Sequence, residues 1–206
     1  MKITEYKKQY DVPQITAPAH SAADASYKRA AGMFDWVQSV VVAIVVLTAV
    51  FTFVLRPVQV VGDSMLPTLT TGDWLLLSAF DSNPEHGEII VSTQPNRTSS
   101  GEPVIKRVIA TAGQTVDIDF ARGTVTVDGT VLNEPYIKDL THRSFDVDFP
   151  LIVPEGTVFV MGDNRNDSLD SRTTRIGFID EKYILGSVKM RIFPFESIKY
   201  RTGMEE

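Results

Sequence analysis

The sequence predicts a mainly β protein, in which a single N-terminal transmembrane helix is followed by a β-rich domain. Two observations carry this. From Trp36 to Leu55 run 20 residues without a charge. Beyond Arg56 the apolar residues fall into short alternating runs separated by turn signals, and no stretch keeps a 3.6-residue period. No internal repeat is visible.

At 1.5 Å per residue, Trp36–Leu55 makes a helix about 30 Å long, the thickness of a bilayer core. A buried strand would be far shorter. A cleavable leader would have a shorter apolar run with a small-residue site close behind it, and this segment has neither feature. A retained anchor is therefore expected over residues 34–56. Residues 1–33 are rich in Ala, Ser and Lys and contain Pro13 and Pro18, which reads as a mobile tail. Lys28 and Arg29 precede the span, and only Arg56 closely follows it. By the positive-inside rule the tail is cytoplasmic and residues 57–206 are extracytoplasmic.

That outer part, about 150 residues, is the usual size of one domain with one core. The chain has no cysteine, which excludes disulfides, thiolate metal sites and a cysteine nucleophile. Its net charge of -6 is uneven. Residues 1–36 carry five Lys/Arg against four Asp/Glu, and residues 37–206 carry 15 against 22. An acidic main domain argues against nucleic acid as a partner, because phosphate neutralisation needs a basic surface.

Eight runs read as strands: Val58–Val61, Trp74–Ser78, Glu88–Ser92, Val104–Thr111, Thr115–Asp119, Thr124–Val127, Thr157–Met161 and Lys189–Phe193. Thr71-Gly72-Asp73, Ala121-Arg122-Gly123 and Asp128-Gly129 are turn signals, the last a hairpin turn after Val125-Thr126-Val127. Asp81–Gly87 and Gln94–Gly101 read as loops, and Asn133–Pro150 as a surface excursion.

Three islands hold chemistry. Gly62-Asp63-Ser64-Met65-Leu66-Pro67-Thr68-Leu69 puts a serine on a tight turn after an apolar strand; alone, such a run is more often an ordinary turn. Ile105-Lys106-Arg107-Val108-Ile109 embeds a lysine in an apolar strand, with Lys106 and Val108 on one face. A lysine normally titrates at about 10.4, and desolvation lowers that value toward a useful base. The plain alternative is an edge lysine that resists aggregation. The third island, Gly162-Asp163-Asn164-Arg165-Asn166-Asp167-Ser168-Leu169-Asp170-Ser171-Arg172, crowds acids, arginines and hydroxyls after a strand. It lacks the alternating ligands and closing glutamate of a calcium loop, so no metal or cofactor is expected.

Together the islands resemble the motif set of the bacterial type I signal peptidases, the Ser-Lys dyad leader peptidase family, in order and approximate spacing. The resemblance implies a membrane-bound serine endopeptidase of the bacterial plasma membrane that removes signal peptides from exported preproteins. Its partners would be preprotein signal peptides and the lipid bilayer. It implies Ser64 as nucleophile, Lys106 as general base, and Ser168 hydrogen-bonded to the Lys106 amine. Asp170 would hold the site through Arg172, Met65 would pack beside the nucleophile, and Gly62-Asp63-Ser64 would form the oxyanion side, with the Ser64 N–H as donor. It also implies a small β insertion at about residues 115–150, and shallow apolar pockets for small side chains of a strand docked beside Val58–Gly62 or Val104–Ile105.

The chain departs from the family in places. Gly62 stands where some members have a serine that adds an oxyanion donor. Ala110-Thr111-Ala112-Gly113-Gln114 replaces a Gly-x-Pro-Gly-Asp turn. The endoplasmic-reticulum branch has histidine in place of Lys106, so the chain looks bacterial. His20, His86 and His142 lie outside the matched motifs and read as structural or solvent-facing. Eight residues separate Leu55 from Ser64, at most about 30 Å of extended chain, so the nucleophile is expected near the membrane. Two alternatives use related residues. A LexA-like self-cleaving regulator would need a DNA-binding region where the apolar span stands, and a non-enzymatic membrane-anchored module would have lost Ser64 or Lys106.

Overall fold

The computed structural model describes residues 23–79, 83–93 and 103–195. The tail over residues 1–22 and the loop expected over Gln94–Gly101 lie outside the described residues. The chain divides into two units, residues 1–47 and 48–206.

The first unit contains most of one helix, α1 (Ala23–Ala49). It starts inside the stretch read as tail, because the alanine-rich run Ala23–Ala31 has high helix propensity. Gly32–Thr52 is 21 residues long and apolar enough to cross a membrane. Many of its large apolar side chains, among them Val41, Ile44 and Leu47, are more than half exposed.

The second unit is β-rich. Val50–Val54 form a π-helical turn, and strand β1 begins at Leu55, where the expected helix was to end. The reason is tertiary: Leu55–Gln59 pairs residue for residue with Trp74–Ser78, which overrides the apolar continuity of the segment. The remaining strands are β2 (Trp74–Ser78), β3 (Ile89–Ser92), β4 (Val104–Ala110), β5 (Thr115–Asp119), β6 (Thr124–Val127), β7 (Thr130–Val131), β8 (Leu151–Ile152), β9 (Thr157–Met161), β10 (Ile179–Asp180) and β11 (Ile184–Phe193). Two-residue β7, β8 and β10 are too short to leave an alternation in the sequence. β11 starts five residues before the expected Lys189, because Gly186 and Ser187 interrupt its apolar pattern.

A seven-stranded antiparallel sheet runs in the order β1-β2-β11-β3-β4-β9-β10, and a four-stranded sheet in the order β7-β6-β5-β8. Alternation places Leu75 and Leu77 of β2 in the core and leaves Trp74 partly exposed. β4 is buried on both faces from Ile105 onward. On one side Ile109, Phe159 and Met161 pack against Val116, Ile118, Val125 and Val127 of the smaller sheet. Phe149 meets both Phe120 and Phe159 edge-on at 5.9 Å, closing this layer. On the other side lie Ile90, Val108, Val158, Val160, Ile176 and Ile179. Asp128 (φ 52°) and Gly129 (φ 80°) form the hairpin turn between β6 and β7, as their order predicts. The excursion after Asn133 is pinned down in part, because Tyr136 and Thr141 are buried.

Candidate active site

Ser64 sits in a turn after β1. Val60 donates to the Asp73 carbonyl and accepts from Gly72, while Leu69 N–H donates to the Met65 carbonyl, so the turn is clamped at both ends. Gly62 adopts φ 94°, a left-handed conformation that a side chain would strain, and its N–H donates to Thr71 Oγ1. Met65, buried, joins Val60, Leu69, Leu75, Ile105 and neighbours in one core cluster. Asp63 is exposed and accepts a hydrogen bond from Thr71.

Lys106 comes from the middle of β4, opposite Ile90 of β3. Its Nζ lies 2.7 Å from Ser64 Oγ and 2.9 Å from the Ile105 carbonyl oxygen. The side chain is 6% exposed. Burial pushes its pKa down to about 8, against the carboxylates of Asp170 and Asp163, which raise it. Each of these acids is itself held by an arginine. Asp170 takes Nε and an amino group of Arg172 at 2.8 Å, and Asp163 takes Arg107 at 2.6 and 2.8 Å. Burial is the largest influence on the amine, so the net shift is downward.

A neutral amine so placed has its lone pair for the Ser64 hydroxyl and one N–H for the Ile105 carbonyl. Ser168 Oγ is buried but makes no hydrogen bond with any described residue, so the bond expected between it and the Lys106 amine is not formed in this structure. Nζ already has two partners. The Ser168 side chain packs on Gly162, where an added Cβ would overlap both Ser168 Oγ and the Ser64 carbonyl oxygen.

Several residues were given no role from sequence. Asn164 donates its N–H to the Ser64 carbonyl and its side-chain amide to the Asp63 carbonyl, each at 3.0 Å. The third island thereby grips the nucleophile's turn. Arg107 lies 3.9 Å above the Tyr136 ring, and Thr68 donates to Asp163 at 2.5 Å. Arg107 stood in the Lys-Arg-Val run, but spacing does not say what a neighbour binds. Tyr136 and Glu134 carried no local signal.

A groove of about 930 Å³ holds Ser64 and Lys106 and is lined by Val58–Met65 on one side and Pro103–Lys106 on the other. Among the described residues β9 pairs with β4 only from Arg107 onward, so no described strand pairs with Val104–Lys106 on that edge, which lines the groove. No group of three or more metal-binding side chains occurs among the described residues.

Residues 33–193 match the family model described as "Signal peptidase, peptidase S26". A probable signal peptidase I-1 of Synechocystis sp. is 39% identical over 74% of this chain and 79% of its own. A signal peptidase IB of Staphylococcus aureus is 31% identical over 84% of this chain and 96% of its own. A signal peptidase I P of Bacillus subtilis subsp. natto is 29% identical over 86% and 98%. A crystal structure of a signal peptidase I from Enterococcus faecalis V583, 30% identical, covers 52% of this chain and 97% of its own with a TM-score of 0.42.

Proposed function

Because the chain belongs to the peptidase S26 family of signal peptidases and is a type I signal peptidase acting on preprotein signal peptides, we propose that it cuts them by a Ser64–Lys106 dyad while anchored in the membrane through α1. The observation that supports the dyad is the 2.7 Å contact between Nζ and Oγ in a buried pocket. Neutral Lys106 takes the Ser64 proton as Oγ attacks the scissile carbonyl. The C–N bond breaks, the proton passes to the leaving amino terminus of the mature protein, and an acyl-enzyme remains. Lys106 then takes a proton from water as it attacks the ester carbonyl, and returns it to Ser64 Oγ as the C–O bond breaks and the signal peptide leaves with a new carboxylate.

The Ser64 N–H is the oxyanion donor in this scheme, and the Gly62 N–H is already committed to Thr71. The preprotein lies as an extended strand between the Val58–Val61 backbone and the open edge of Val104–Ile105, an arrangement supported by the unpaired edge of β4. The helix places its N-terminal end in the cytoplasm and the β unit outside, supported by the Lys28–Arg29 pair before the span. The Asp170–Arg172 pair holds the Gly162 N–H, and Ser168 packs on Gly162 beside the Ser64 carbonyl.

The test is cleavage of a membrane-inserted preprotein by the wild type and by Ser64→Ala, Lys106→Ala and Ser168→Ala. The first two variants are expected to give no product and the third less than the wild type. Full activity of Lys106→Ala would refute the dyad.

A further inference from the structure

Glu134 lies 31 residues before Arg165 and outside all three motif islands, yet its carboxylate grips the Arg165 guanidinium through both amino groups, at 2.5 and 2.8 Å. Both side chains are almost wholly buried. A two-point grip of this kind fixes the plane and direction of the guanidinium. A further donor, Nε, then points at the Gly162 carbonyl oxygen, 3.1 Å away, while one amino group also donates to Thr141 Oγ1 at 3.1 Å. Tyr136, two residues on from Glu134, donates its hydroxyl to the same carboxylate at 3.0 Å. Its ring lies against Arg107 at 3.9 Å and Arg165 at 5.9 Å. Burial is the largest influence and opposes the charge on Arg165, but Glu134, Tyr136 and Asp163 together hold the group above its ordinary value, so Arg165 stays charged.

The Gly162 peptide matters because it lies between two active-site groups. Its N–H donates to Asp170 at 3.0 Å, and its Cα packs so closely on Ser64 and Ser168 that no side chain fits there. Asn164, two residues later, holds the Ser64 carbonyl. A shift of this peptide therefore moves the nucleophile relative to Lys106.

Resting on the Ser64–Lys106 reading above, we propose that Glu134 is a positioning residue for catalysis: through Arg165 it holds the Gly162 peptide, and with it the register of Ser64 against Lys106. Glu134 touches neither substrate nor reacting atoms. The two backbone walls on which the preprotein strand is placed, Val58–Val61 and Val104–Ile105, make no hydrogen bond to Glu134 or Arg165 among the described residues, although Asp167–Leu169 of the same loop also line the groove. Its loss should thus appear mainly in kcat. A displacement on the scale of 1 Å at a reacting pair costs up to about 100-fold in rate.

The experiment compares the full-length protein with Glu134→Gln, Tyr136→Phe, Ser64→Ala and Lys106→Ala on a membrane-inserted preprotein, and records urea midpoints alongside. Glu134→Gln is expected to lower kcat by roughly 10- to 100-fold with KM within about twofold, under conditions where the variant is folded. Tyr136→Phe removes one hydrogen bond to Glu134, keeps the ring, and is expected to lower kcat by about 2- to 10-fold. If Glu134→Gln does not fold, Tyr136→Phe decides: a kcat loss at unchanged KM supports the role, and wild-type kcat overturns it. A folded Glu134→Gln with wild-type kcat, or with only KM raised, also overturns it. Failure of this role is distinct from failure of the dyad. In the first case Ser64→Ala and Lys106→Ala stay inactive, whereas in the second Lys106→Ala still cleaves.

Discussion

Lys106 titrates near 8 instead of 10.5 because the fold strips water from its amine. A shift of that size corresponds to about 3 kcal/mol. The folded value is the lower one, so between pH 8 and pH 10.5 the unfolded chain binds the extra proton. Stability therefore rises with pH across that window and carries the whole penalty below pH 8. An apolar side chain of similar length escapes the penalty. Lys106→Met is expected to be inactive yet more stable by roughly 1–3 kcal/mol at pH 7, with the gain shrinking as the pH approaches 10. Urea midpoints of both proteins at pH 7 and pH 10 check this, and a gain that stays constant with pH would contradict it. The sequence already marks Lys106, since a charge inside an apolar strand demands an explanation. It does not mark Ile105, whose carbonyl oxygen supplies the amine's second partner.

Between elements, β4 and the loop after β9 are joined by charge as well as by the ladder. Arg107 on β4 and Asp163 in the loop are both fully buried, and Asp163 also takes the Thr68 hydroxyl from the nucleophile's turn. Removing the acid leaves a buried guanidinium without its counter-charge. Asp163→Asn is expected to cost about 3–5 kcal/mol, far more than an exposed pair would. Equilibrium unfolding in urea at pH 7 measures it, and a loss under about 1 kcal/mol would show that this ion pair does not join the elements. Element positions were legible where alternation was strong. β2, β5, β6 and β9 match the sequence reading to the residue. The start of β1 was not legible, since Leu55 continues an apolar run and only pairing with Ser78 makes it a strand. The excursion after Asn133 was read as surface because its polar residues look solvated, but Glu134 and Tyr136 face arginines that come from distant parts of the chain.

At the scale of the whole molecule, the apolar helix and the acidic β-rich unit were both readable, because they follow from composition and period. The Ser64–Lys106 contact was readable only as a resemblance, since the two residues stand 42 apart and spacing alone does not bring them together. The packing that joins them comes from three separate stretches. Asn164 holds the nucleophile's turn, the Ile90–Val108–Ile176 layer flanks β4 beside Lys106, and Glu134 braces the loop from outside. These contacts give one joint result, a lysine amine against a serine hydroxyl that sheds its proton near pH 8 instead of 10.5. The pH dependence of the acylation rate on a membrane-inserted preprotein measures that result directly. The rate should climb through an apparent pKa close to 8 and then level off, because the free base is the active form. A rate that climbs only near pH 10, or a Lys106→Ala variant that keeps the same profile, would contradict it.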